Sequence, residues 1–67
     1  MLIQLRFADL KGDLVPVISR IDTAEILHMD LIGVDSLVRD KALPSTFQKG
    51  RRLISFEAVR SYKHDHE

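Results

Sequence analysis

The sequence predicts an α+β fold: an N-terminal β segment, two helices joined by a tight turn, a β-hairpin and a C-terminal helix. Three observations predict it. Apolar spacing changes along the chain from alternation to helical spacing and back. A helix-capping side chain precedes each helical stretch, at Ser19, Asp30 and Ser55. Two short apolar runs flank Gly50.

The elements follow in order. In "LIQLRFA", Ile3, Leu5 and Phe7 alternate with Gln4, Arg6 and Ala8, which predicts a strand with one buried face. "ADLKGD" reads as a turn. "LVPVI" reads as a second strand, placed at an edge because Pro16 has no backbone N–H, or as an extended lead-in to the first helix. Ser19 with Asp22, or Asp22 with Glu25, forms the capping signal of that helix. Ile21, Ala24, Leu27 and His28 share its predicted core face. The turn at "HMD" is about three residues, the length found between the helices of a helix-turn-helix.

Asp30 caps a second helix, "LIGVDSLVRDK", with Val34, Leu37 and Val38 facing the core. Pro44 ends it. "TFQ" and "RLI" read as hairpin strands, with Gly50 supplying the positive φ of the turn. Ser55 caps a third helix, "FEAVRSYK", whose Phe56, Val59 and Tyr62 form one sticky side. "HDHE" reads as a frayed tail, and no internal repeat stands out. The organisation is thus an extension over 1–18, a domain over 19–63 and a tail over 64–67.

At 67 residues this is one small domain with a marginal core. It has no cysteine, so no disulfide or thiolate site supports it. No apolar run approaches a membrane span, and the start lacks the apolar centre of a signal peptide, so a cytoplasmic protein is expected. Net charge is zero but unevenly spread. Residues 1–36 carry three cations against six carboxylates, a net −3. Residues 37–63 carry seven cations against two carboxylates, a net +5. A positive face on a neutral molecule is the expectation. No paired carboxylates, nucleophile with base or phosphate loop point to catalysis, so no enzyme and no cofactor are expected. His64, Asp65, His66 and Glu67 have metal-ligand chemistry but lie on a terminus without convergent geometry, so no metal site is expected.

The stretch "SRIDTAEILHMDLIGVDSLVRDKALP" resembles the small winged helix-turn-helix regulators of the excisionase and AlpA type, related to the MerR DNA-binding domain. Ser19, Ala24, Leu27, Asp30, Val34, Leu37, Val38 and Leu43-Pro44 carry the resemblance through the two helices. Gly50-Arg51-Arg52 carries it in the wing, and Val59 and Tyr62 in the last helix. The resemblance implies binding to double-stranded DNA, as an excisionase (a recombination directionality factor) or a transcriptional regulator. It implies an integrase or recombinase as partner, and copies associating on DNA.

It also implies site residues. On the second helix these are Ile32, Asp35, Ser36 and Arg39, with Ser36 and Arg39 nearest base edges and arginine suited to guanine. Ile32 suits a thymine methyl or a second subunit. Lys49, Gly50, Arg51 and Arg52 would form the wing, suited to phosphate or a narrow minor groove. Lys41, Arg60 and Lys63 would add backbone contacts that position without reading sequence. Taken singly, Arg39, Lys41 and Arg60 read as ordinary surface charge. An alternative of another class is a winged-helix interaction module that inhibits a host or phage protein and does not read DNA. The acidic first half and the weakly polar second helix favour it. A packaging terminase small subunit is a third possibility, which normally carries a longer oligomerisation region.

Overall fold

The computed structural model describes residues 5–66, and it is α+β with three helices and a four-stranded antiparallel sheet. Two strands come first, β1 (Arg6–Leu10) and β2 (Asp13–Ser19). Two helices follow, α1 (Arg20–Leu27) and α2 (Leu31–Arg39). A second hairpin of β3 (Ser45–Gln48) and β4 (Arg51–Ser55) leads into α3 (Phe56–Asp65). Strand order is β1-β2-β4-β3.

Both hairpins close on the same dipeptide. Lys11-Gly12 lies between the paired Leu10 and Asp13, and Lys49-Gly50 lies between the paired Gln48 and Arg51. All four turn residues have positive φ, at 54° and 88° and at 51° and 74°. That is the type I′ turn, whose twist matches the flanking strands. Each hairpin then runs straight into a helix capped by a serine. Ser19 Oγ accepts from the Asp22 N–H, and Ser55 Oγ accepts from the Ala58 N–H. Ser19 is therefore the cap of α1, and Asp22 sits in its first turn.

The two strand–turn–strand–serine–helix units meet at β2 and β4. Ile18 lies opposite Ile54, with Val17 opposite Ser55 and Ser19 opposite Leu53. Exchanging 17–19 with 53–55 reproduces the same register, so a local two-fold passes through the Ile18–Ile54 pair. This repeat escaped the sequence reading because the units share only Lys-Gly, a serine cap and alternation.

Period two sends neighbouring residues of β2 and β4 to opposite faces, and each face holds a core. Ile18 and Ile54 join Val34, Leu43 and Val59 beneath the helices, with Leu37, Val38, Phe56 and Tyr62 packed around them. Val17 and Leu53 join Ala8 on the other face, with Leu10 and Val15 alongside. The sheet curls so far that its two edge strands, β1 and β3, come into contact.

That curl overturns the expected face of β1. Leu5 and Phe7 are 50% and 63% exposed, whereas Ala8 is buried. Ala8 instead packs with Val17 of β2 and Leu53 of β4. Ile3, expected on the same face, lies outside the described residues. The edge placement of β2 is also corrected, because β2 is an interior strand. Pro16 is tolerated for a local reason. Alternation from the Leu10–Asp13 pair puts Phe7–Pro16 at a non-hydrogen-bonded position, so the proline nitrogen faces away from β1. On that side β4 has already ended opposite Val17, so no ladder bond is lost.

Three helical details differ from expectation. On α1, Ile21 is 62% exposed and Thr23 is fully buried, its hydroxyl donating to the Ser19 carbonyl. His28 leaves the core face because it turns left-handed (φ 56°) and ends the helix. On α3, the helix extends through Asp65 into the expected tail, and His66 folds back on it. The His66 ring stacks on Tyr62 at 3.9 Å, and its Nδ1–H donates to the Tyr62 carbonyl at 2.9 Å. α2 keeps the expected cap: Asp30 Oδ1 accepts from the Gly33 N–H at 2.8 Å. Val34 is wholly buried, as expected. α2 closes in a Schellman motif, with Ala42 N–H on the Leu37 carbonyl and Lys41 N–H on the Val38 carbonyl.

Candidate functional site

α1 and α2 meet across the turn at 28–30, and the chain leaving α2 enters β3 after only five residues. The short connection holds the C-terminal end of α2 against the second hairpin. The Ser55 N–H donates to the Pro44 carbonyl and fastens that connection to the sheet. A cleft results, bordered by α2, the second hairpin and the tip of the first hairpin. Its cations are Lys11, Arg20, Arg39, Lys41 and Arg52, and its carboxylates are Asp9, Asp13 and Asp35.

Two of the three carboxylates are occupied. Asp35 binds Arg20 through two short bonds of 2.8 Å, Nε to Oδ1 and Nη2 to Oδ2. That bidentate fork fixes the start of α1 to the middle of α2. Asp9 Oδ1 accepts the Gly12 N–H at 2.9 Å and turns inward on its own loop. With the Arg20–Asp35 pair neutralised, four cations remain against two carboxylates, and the cleft is positive.

The sequence-predicted residues divide into two groups. Asp35, Arg39, Lys41, Gly50 and Arg52 line this cleft together. Among the described residues Arg39 makes one long contact of 3.7 Å, with Asp40, both side chains being well exposed. Ile32 is 77% exposed beyond the cleft, and Ser36 is half-buried on α2. Lys49 and Arg51 are exposed at the second hairpin tip. Arg60 lies on α3, its guanidinium 5.8 Å from the Phe56 ring, outside the cleft lining.

Arg51 and Arg52, adjacent in sequence, do different things. They are strand residues beside the Lys49-Gly50 turn, so their side chains leave opposite faces of β4. Arg51 is exposed. Arg52 is half-buried: its Nη1 donates to Ser45 Oγ at 3.0 Å, and its guanidinium lies 5.2 Å from the Phe47 ring. The cation is thereby held in one orientation with donors to spare. Sequence reading missed three of these features: the Arg20–Asp35 fork, the Phe47 platform under Arg52, and Lys11 beside the cleft. The fork joins residues fifteen apart in sequence, and Phe47 is legible as the platform of Arg52 only once the hairpin register sets the two directly opposite each other. The third had a signal, the repeated Lys-Gly pair. Among the described residues no helix is long and apolar enough to cross a membrane. No family model, curated protein or solved structure matches the chain.

Proposed function

We propose that this domain is a winged helix-turn-helix that binds double-stranded DNA as an architectural or regulatory factor, with α2 as the recognition helix and the β3–β4 hairpin as the wing. The observation that carries the reading is the positive cleft where Arg39 and Lys41, at the end of α2, face Arg52 and Gly50 of the hairpin. A helix end and a basic hairpin diverging from one corner suit a groove and its flanking phosphates. Arg39 is the one cation on the outer face of α2, and the resemblance to excisionase and AlpA-type regulators supports the same assignment. On this reading the partners are duplex DNA, a recombinase such as an integrase, and further copies of the chain on DNA.

The test is binding to a mixed-sequence duplex across a salt series, for the wild type and for Arg39→Ala/Arg51→Ala. Both residues are exposed, so the fold should survive their loss. Binding should weaken with salt, and the double variant should show a shallower slope by up to about 0.9 per lost phosphate contact. No binding by the wild type at low salt would refute the reading.

That outcome would favour an interaction module without DNA readout, which a specific observation supports. Ile21, Leu31 and Ile32 are 62%, 38% and 77% exposed around the α1–α2 corner, and Asp35 is held in an ion pair. Such an apolar corner suits a protein partner.

A further inference from the structure

Among the described residues, four non-glycine positions have positive φ, and three of them are lysines: Lys11 (54°), Lys41 (62°) and Lys49 (51°). The chain has only four lysines in all. Left-handed backbone is disfavoured for a side chain of this kind, and only roughly a few per cent of non-glycine residues adopt it, chiefly asparagine, aspartate and histidine. Each of the three positions is one where glycine or asparagine is the easy choice. Lys11 and Lys49 are the first residues of type I′ turns, and Lys41 is the left-handed residue of a Schellman motif. Lysine at all three trades backbone ease for positive charge at a loop apex. Strain kept at exposed apices points to function at the side chain.

Two of these apices share a surface, and the third adjoins it. Lys11 and Lys41 line the cleft, and Gly50 beside Lys49 lines it too. The β1–β2 hairpin is the structural counterpart of the β3–β4 hairpin, with the same Lys-Gly turn and the same serine-capped helix after it. β2 and β4 run antiparallel, so the two turns lie toward opposite ends of the pair, yet both border the cleft.

We propose that the β1–β2 hairpin is a second wing, and that Lys11, Lys41 and Lys49 form a set of phosphate contacts on duplex DNA that straddles the end of α2. This rests on the DNA-binding reading above and adds the first hairpin to its surface. The partner chemistry is the phosphate backbone of a duplex, which lysines at three separate loop tips would contact without reading bases. Asp9 and Asp13 lie in the same lining as Lys11, so the proposed contact of the first hairpin is the lysine alone.

The test uses asparagine, which tolerates left-handed backbone and carries no charge. Lys11→Asn, Lys41→Asn and Lys49→Asn are each melted and titrated with a mixed-sequence duplex across a salt series. Two effects of opposite sign are expected. The melting temperature holds or rises by a few degrees, because strain is relieved. The slope of log K against log salt falls by about 0.9 for each variant. Lys11→Arg, which keeps the charge, keeps the wild-type slope. If Lys11→Asn keeps the wild-type slope while Lys49→Asn lowers it, the second wing is refuted and the DNA-binding reading stands. If Lys11→Asn lowers the melting temperature, the strain argument is refuted. If the wild type binds no duplex, the underlying reading fails, and this one with it.

Discussion

Ile54→Ala tests the joint on which the whole arrangement depends. Ile54 is fully buried, lies opposite both Ile18 of β2 and Ser45 of β3, and packs with Val34, Leu43 and Val59 under the helices. The substitution removes three carbons, worth about 2.4 kcal/mol of transfer free energy at about 0.8 kcal/mol each. The cavity left behind adds about 1–2 kcal/mol, because strands paired on both sides cannot collapse inward. The sum is about 4 kcal/mol. A chain of 67 residues has a total stability of only about 3–10 kcal/mol. For a domain of this size each kcal/mol moves the melting temperature by about 4–8 °C, so a fall of about 15–30 °C is expected. Thermal denaturation followed by far-UV circular dichroism measures it. A fall of less than about 5 °C would place Ile54 outside the core and refute the register that joins the two hairpins.

Two further predictions follow from individual side chains. Phe7→Ser should change stability by no more than about 0.5 kcal/mol, since Phe7 is 63% exposed; a melting temperature lowered by 10 °C or more, about 2 kcal/mol, would restore the buried face that alternation suggested. Asp35→Ala removes an ion pair whose side chains are 39% and 51% exposed, so solvent screening limits the loss to about 1 kcal/mol, measured by urea titration. The same change frees Arg20 and removes a carboxylate from the cleft, so duplex binding at low salt should tighten; weaker binding would assign Asp35 a direct contact with DNA.

Local structure is legible in the residues alone, because the signals involved act within a few positions. Ser19, Asp30 and Ser55 each cap the helix that follows, since a side-chain oxygen needs only the N–H three residues on. Val34, Val59 and Tyr62 face the core because helical spacing puts them on one side of their own helices. Gly50 turns the second hairpin, and the basic residues of the candidate cleft, Arg39, Lys41 and Arg52, were all legible as a cationic stretch.

Which face of a strand is inside, and what each cation meets, depends on contacts between distant parts of the chain. Alternation in β1 offers two faces of opposite composition. The smaller one is buried because the curled sheet brings β1 against β3, a contact between residues nearly forty positions apart. Pro16 sits in an interior strand because its neighbour β4 ends one residue earlier in register. Arg20 meets Asp35 across fifteen residues because α1 packs on α2, and Lys11 shares a cleft with the end of α2. Pairing of β2 with β4 is a long-range choice that sets Ile18 opposite Ile54, both buried in the core under the helices.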